Sequence, residues 1–455
     1  YVFFDFQNWR DCSSEHDWAD PQGILNKGVI LNSDPDAHLQ SVKEMTLFSE
    51  DLHYKKADTC IECGFCEHVC PSRYVTLTPR QRLQARRIIA RTGNPQLEKE
   101  YDYIGEQTCA ADGMCQMPCP MGISTAVVTD AIRSKKATKT ASDILHYAAG
   151  HFDAVETDLR AMLKLAVGTE RVVSPYPLIW ATDFLHRMFR QMPHWSAHFP
   201  MPRKLHYREE TDPDYIYFPA CVTRIFGASA LHKDDLMTVI LRIAGKAGVR
   251  VSLPAEAHGL CCSQIWEHKG NVEGQKITAN RTVACFYDWS ERGRIPIFCD
   301  TTSCTHTLLS ETGGNILTPE NQEKYKQLKI IDITQWLNEI ILPKIKEIKP
   351  KNRVLLHPTC SCQIMNLTPV MLDIARKCAR EVILPDNWGC CGASGDRGFI
   401  FPELSESATQ DERYEISDQQ FDGCYSLART CEIVMQDHIK QPYESIVYLV
   451  DETIG

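Results

Sequence analysis

Four cysteines fall inside the run CIECGFCEHVCP, at Cys60, Cys63, Cys66 and Cys70, in the spacing C-x2-C-x2-C-x3-C-P. A hydrophobic core does not demand such a spacing. Three thiolates on one tight loop can reach three irons of a cubane, while the fourth, past the turn, reaches a second cluster. Zinc sites commonly use paired C-x2-C units or Cys/His mixtures instead. The run predicts one ligand loop of a two-cluster ferredoxin and calls for a second loop to complete it.

That second loop is TCAADGMCQMPCP at 108–120. Cys109, Cys115 and Cys119 keep the frame, and Asp112 stands where the ladder has its remaining cysteine. In the crossed pairing of such modules, Cys60, Cys63, Cys66 and Cys119 hold cluster 1. Cys70, Cys109 and Cys115 hold cluster 2, with Asp112 at its fourth place. Carboxylate is a harder ligand than thiolate, so this corner iron should be labile. Two outcomes stay open: a 3Fe–4S cluster, or a 4Fe–4S cluster held there by Asp112 or solvent. Between the loops, Thr78-Pro79 opens a helix carrying Arg80, Arg82, Arg86, Arg87 and Arg91. These arginines could offset cluster charge, dock an acidic partner, or form a solvated face.

The whole chain has 21 cysteines among 455 residues. Long helical and strand-like stretches separate the cysteine groups, which favours metal ligands over a disulfide framework. With 43% hydrophobic residues the length predicts two to four domains. A net charge of -10 argues against nucleic acid as a partner. No apolar run approaches the roughly 18 residues of a membrane span, and no signal peptide is evident. The first residue is tyrosine rather than methionine, which predicts sequence upstream.

From about residue 211 the texture alternates. DYIYFPAC, VRVSLP, NRVLLHPTC and EVILP read as strands; DDLMTVILRIAGKAGV and VMLDIARKCA read as helices. Such alternation predicts a parallel sheet with helices on its faces. It also repeats. Phe218-Pro219-Ala220-Cys221 aligns with His357-Pro358-Thr359-Cys360, and Gly259-Leu260-Cys261-Cys262 with Trp388-Gly389-Cys390-Cys391. Cys304 and Cys431 close the two copies. The fold class expected is α+β overall, an α-helical ferredoxin domain followed by two tandem α/β units.

The loops beyond the carboxyl ends of parallel strands converge on one edge. Cys221, Cys261, Cys262 and Cys304, and Cys360, Cys390, Cys391 and Cys431, are thus two candidate metal or redox sites. Cys299 and Cys362 are candidate additional ligands, while Cys12, Cys285, Cys378 and Cys424 read as ordinary buried cysteines. GCCGASGDRG at 389–398 matches no nucleotide-binding loop. His258, His357 and His438 read as isolated structural histidines. The expected divisions are 1–45, 46–135 (ferredoxin), 136–210 (helical connector), 211–340 and 341–455. The connector's SPYPLIWATDFLHRMFRQMPHWSAHFPMP reads as an apolar face packed on a neighbouring domain rather than a membrane patch.

Together these motifs resemble the C-terminal half of the FAD-linked D-lactate dehydrogenases with iron–sulfur domains. Related modules occur in the iron–sulfur subunits of glycolate oxidase and of anaerobic glycerol-3-phosphate dehydrogenase, and in the cysteine-rich subunit of heterodisulfide reductase. The resemblance covers about residues 18–455. CIECGFCEHVCPSR, TLTPRQR, HPTCSCQ, GCCGASGDRGF, PELSESAT and SLARTCE carry it. DPQGILNKGVIL resembles the closing segment of a flavin-linked oxidase domain.

The resemblance implies two CCG cysteine-rich domains, although Ser263 stands where the first CCG has glycine, and neither copy ends in the C-x2-C of heterodisulfide reductase. It implies two Fe–S clusters, further Fe–S or zinc in the CCG domains, and FAD in an upstream or partner domain. That flavin would oxidise a 2-hydroxyacid, D-lactate foremost, and electrons would pass to quinone or another redox acceptor. Alternatives are a catalytic CCG protein of the heterodisulfide reductase type and a scaffold whose CCG cysteines bind zinc or nothing. The expected setting is a reducing compartment such as the cytoplasm, with peripheral association at the inner face of a respiratory membrane open.

Overall fold

In the computed structural model the described residues are 52–227, 231–310, 316–455 and Asp34. Cys12 and the segment expected to close a flavin-linked domain lie outside them, Asp34 apart. From 52 to 136 the described chain is helical and strand-free. Helix α1 (Pro79–Thr92) starts where Gln81 Oε1 accepts the Thr78 N–H at 2.9 Å, and ends at Gly93 with φ 60°. Its buried Leu83 and Ile89 pack with Tyr101 against Val128 and Ile132 of α2 (Thr125–Lys136). Both cysteine loops are therefore anchored on one small helical core.

The connector is α3 (Lys139–Gly150), α4 (Phe152–Val172) and α5 (Tyr176–Met188). Helix α4 buries Phe152, Glu156 and Val167, and α5 buries nothing fully. Trp180 is 71% and Tyr176 76% exposed, with Met162, Leu165 and Met188 beside them in sequence on the same two helices. The expected packing holds for the second half of this stretch, where the His194 N–H donates to Phe399 O at 2.7 Å, Ser196 Oγ donates to Asp437 Oδ1 at 2.9 Å and the Phe199 ring lies 5.1 Å from that of Phe399. The exposed face of α5, by contrast, has no covering element among the described residues. No described helix is long and apolar enough to cross a membrane.

The remainder is doubly wound. Strand β1 (Tyr215–Phe218) leads into α6 (Cys221–Phe226), α7 (Leu236–Lys246) and β2 (Val251–Ser252). Then come β3 (Ile297–Cys299), α8 (Thr302–Ser310) and β4 (Ile330–Asp332). The strands form a parallel sheet of order β2-β1-β3-β4. The second copy runs β5 (Lys351–Leu356), α9 (Cys360–Ile364), α10 (Thr368–Cys378) and β6 (Ala379–Ile383). It finishes with α11 (Pro402–Ile416), β7 (Gly423–Ser426), α12 (Arg429–Ile439), β8 (Tyr443–Ser445) and α13 (Ile446–Thr453). Its order, β6-β5-β7-β8, is the same path, again all parallel. The expected tandem α/β architecture is what forms.

Strand periodicity sorts the side chains. Ile216 and Phe218 face a core private to the first copy, whereas Tyr217 faces the other way. Leu355 and Cys424 face a core private to the second copy, whereas Val354, Leu356 and Tyr425 join Tyr217, Phe298 and Trp336 in a shared core. Rings stack through this shared core, Tyr217 on Phe298 at 5.0 Å and Phe298 on Trp336 at 4.3 Å. The strand pairing ends at Phe218 with Cys299 and at Leu356 with Tyr425. All eight cysteines of the two sets follow the carboxyl ends of strands, where a doubly wound sheet presents its loops.

Candidate metal centres

Cys60, Cys63, Cys66 and Cys119 line one cavity, with Gly64 and Ile123 in its wall. Cys63 is exposed and the other three are half-buried. Cys70, Cys109 and Cys115 line a second cavity with Asp112 and Arg82, and these three thiols are buried. The structure thus brings together the crossed sets that the spacing predicts. Burial pushes the Cys66 thiol up to about 11 and the Cys115 thiol up to about 12. Metal-free, both are neutral at pH 7, and a cation entering either cavity must displace protons.

Arg82 shows that the second cavity is built for negative charge. It is 1% exposed. Its guanidinium donates to Cys70 Sγ at 3.4 Å, Ser72 Oγ at 2.8 Å, Gly105 O at 2.7 Å and Thr108 O at 3.1 Å. Burial alone would discharge it, but the Cys109 and Cys70 sulfurs outweigh that and raise its pKa. A guanidinium so enclosed needs an anion, and thiolates bound to metal supply one. Arg80, Arg86 and Arg87 instead pair with Glu67, Glu98 and Glu62 at 2.8, 2.9 and 3.1 Å. Arg91 is exposed.

Asp112 also lines this cavity. Its Oδ1 accepts the Met114 N–H at 3.2 Å, while Oδ2 is buried and accepts no well-formed hydrogen bond. Burial raises its pKa, countered in part by the Cys390 thiol facing it.

In the first α/β copy the thiols form a chain. Cys221 meets Cys261, the first of the adjacent pair, and Cys262 meets Cys304, which also meets Cys299. The second copy repeats it: Cys360 meets Cys390, and Cys391 meets Cys431. The second cysteine of each pair is held below the ordinary thiol range, Cys262 by the Cys261 and Cys304 thiols, Cys391 by Cys431 and then His357. Cys299 joins its set; Cys362 instead packs in the shared core near Thr368. Cys378 and Cys424 are buried in cores as expected, and Cys285 is half-buried.

The adjacent-cysteine loops explain the serine. Ser263 and Gly392 both adopt left-handed backbone, φ 79° and 77°, and each N–H donates at 3.4 Å to the sulfur two residues back, Cys261 or Cys390. A Cβ on Gly392 would sit 2.9 Å from Ser405 Cα and 3.0 Å from Leu404 O. The first copy leaves room for Ser263, so there only conformational strain opposes a side chain.

Two buried ion pairs escaped the sequence. Arg224 and Glu156, both 0% exposed as side chains, form a bidentate pair at 2.7 and 2.9 Å. Arg224 also donates to Leu260 O at 2.6 Å, and Glu156 accepts the Gly259 N–H at 3.1 Å, so α4 pins the loop before Cys261. In the second copy His357 Nδ1 bonds Glu412 Oε2 at 2.8 Å, Tyr443 Oη donates to Glu412 Oε1 at 3.0 Å, and the imidazole faces Cys391. Burial would discharge His357, but Glu412 and the Cys391 sulfur outweigh it and raise its pKa. His357 is therefore not isolated. Nor is His258, whose Nδ1 lies 3.2 Å from Glu156 Oε1. Neither partner stands near its histidine in the chain, so no local motif announces the pairs.

Two cavities walled by crossed cysteine sets, one backed by an enclosed guanidinium, are the arrangement of a two-centre iron–sulfur domain of ferredoxin type, which supports an electron-transfer role. Residues 56–123 match the 4Fe-4S dicluster domain family. Among curated proteins none matches the chain.

Proposed function

We propose that the chain is the iron–sulfur electron-transfer portion of a flavin-dependent 2-hydroxyacid dehydrogenase of the D-lactate type. The observation that carries the electron-transfer core of this reading is the pair of cavities lined by Cys60, Cys63, Cys66 and Cys119, and by Cys70, Cys109 and Cys115. The flavin, the hydroxyacid and an acceptor such as quinone come from the resemblance of the motifs. Clusters bound at the cysteines supply one-electron chemistry. The chain's own residues do the rest: thiolates hold iron, Arg82 neutralises the second cavity, and the Arg224–Glu156 pair keeps the first adjacent-cysteine loop in place.

The adjacent-cysteine sites are read as iron sites rather than zinc sites. Four sulfurs about a tetrahedral zinc lie about 3.8 Å apart. In each copy the thiols instead run as a chain, Cys221 to Cys261 and Cys262 to Cys304 in the first, Cys360 to Cys390 and Cys391 to Cys431 in the second, rather than as four equivalent sulfurs about one point. A flavin-bearing domain or partner chain is the proposed electron donor. The exposed apolar residues of α4 and α5, Trp180 and Leu165 among them, support docking of a further domain or partner chain. The setting is a reducing compartment, where grouped free thiols persist.

The test is anaerobic reduction. The chain joined to its flavin domain should show Fe–S EPR signals that grow when D-lactate is added, with the chain alone silent toward lactate. Absence of iron overturns the whole reading; clusters that ignore every 2-hydroxyacid overturn the dehydrogenase assignment and leave the electron-transfer role standing.

A further inference from the structure

The two α/β copies carry equivalent cysteine chains under different roofs. In the first copy the roof is the connector. Phe152 packs with Cys261 and Trp266, and Asp153 stands so close that a Cβ on Gly259 would lie 2.6 Å from its own Cβ. That roof offers the sulfurs an aromatic ring.

In the second copy the roof is the ferredoxin loop. Ser394 Oγ donates to Ala110 O, and Arg397 Nη1 donates to Gln107 O at 2.6 Å. Ala110 packs in one apolar cluster with Ile400, Phe401 and Leu404, and a Cβ on Gly113 would touch Ile364 Cδ1 of α9 at 3.4 Å. These contacts clamp the loop directly over the Cys390-Cys391 turn, and Asp112 is the polar side chain at the joint.

The two oxygens of that carboxylate have different employment. Oδ1 is tied into its own turn by the Met114 N–H. Oδ2 is closed to water and accepts no well-formed hydrogen bond, and the Cys390 thiol lies against the carboxyl group. A carboxylate oxygen shut in this way is tolerated only beside a donor or a cation. Cys115, of the ferredoxin set, feels Asp112 through charge alone.

We propose that Asp112 is a ligand of the metal centre of the second α/β copy, supplying its Oδ2 beside Cys390 from across the joint. The second ferredoxin cavity then keeps three thiolates, Cys70, Cys109 and Cys115. This rests on the reading of the second copy's cysteines as an iron site. A hard oxygen among thiolates gives that site a donor set that the first copy lacks, so the two copies hold chemically different centres.

The experiment uses the full chain purified anaerobically, with EPR and iron content as readouts. Cys115→Ser and Cys391→Ser, both near-isosteric, identify which signal belongs to which cavity. Asp112→Asn, which preserves shape and the turn, should shift or abolish the Cys391-dependent signal, lower iron by the amount that Cys391→Ser removes, and leave the Cys115-dependent signal unchanged. If Asp112→Asn alters only the Cys115-dependent signal, the carboxylate belongs to the ferredoxin corner and the proposal is wrong. If it alters neither, the proposal is equally wrong. Should Cys391→Ser remove no metal at all, the proposal falls together with the iron reading of that copy, while ferredoxin signals lost separately in Cys63→Ser and Cys115→Ser would leave the electron-transfer role intact.

Discussion

Arg82 donates to the Cys70 sulfur at 3.4 Å from a position closed to solvent, and its other acceptors, Gly105 O, Ser72 Oγ and Thr108 O, carry no formal charge. The sulfurs are thus its counter-charge. Arg82→Met should abolish the Cys115-dependent EPR signal and spare the Cys63-dependent one. It should also destabilise the folded chain by on the order of 3 kcal/mol, because four acceptors lose their donor. Iron analysis with urea unfolding checks both; retention of two full signals would refute the counter-charge role.

The Glu156–Arg224 pair gives a pH signature. Burial alone would raise the Glu156 pKa, but Arg224 outweighs it and holds the carboxyl below its ordinary value of 4.5. A depressed folded pKa contributes stability above the unfolded value and loses it as pH falls through the folded one. Stability should therefore drop below about pH 4.5, and Glu156→Gln should lack that component. At pH 7 the same variant should lose about 3–5 kcal/mol, since it strands a buried guanidinium. Urea midpoints from pH 7 to pH 3 measure both effects.

His357 invites a double-mutant cycle. The first copy has Phe218 at the equivalent place. His357→Phe alone leaves Glu412 buried with only Tyr443 as donor, and should cost about 3 kcal/mol. Adding Glu412→Leu removes the stranded carboxylate and should recover more than half of that loss. Additive losses in urea unfolding would show that the two residues act independently.

The two adjacent-cysteine turns should respond oppositely to exchange. Ser263→Gly relieves a side chain at φ 79° and should stabilise by about 1 kcal/mol. Gly392→Ser drives a Cβ to 2.9 Å from Ser405 Cα and should destabilise by several times as much, about 3 kcal/mol. Thermal unfolding of the two single variants gives the comparison, and equal shifts would contradict the clash.

The ligand loops were legible because iron–sulfur chemistry writes its spacing into contiguous sequence. Cys60 to Cys70 and Cys109 to Cys119 needed no tertiary information, and the crossed sets follow from them. The strands ending at Phe218 and Leu356 were legible too, as apolar runs leading into cysteines. Strands β3, β4 and β8, three residues each, are too short to show a period and are held by their neighbours. What the chain could not announce is partnership across distance. Glu156 with Arg224 and His357 with Glu412 are chosen by packing, and each residue alone reads as an ordinary polar side chain; Asp112 and Cys390 stand out singly as candidate ligands, but nothing in the chain pairs them. The face of α5 that no described residue covers is hidden for the same reason, since an apolar helix carries no mark of what will cover it.

Tyr217, Phe298 and Trp336 of the first copy lie in one continuous core with Val354, Leu356 and Tyr425 of the second, and the copies meet through the helices that cover the sheets, α7 on α13 among them. Either copy expressed without its twin would open the apolar faces of these helices to water and should aggregate or collapse rather than fold. A duplication bound together in this way should behave as one cooperative unit, with a variant that loosens α7 lowering the stability of the second copy as well as the first.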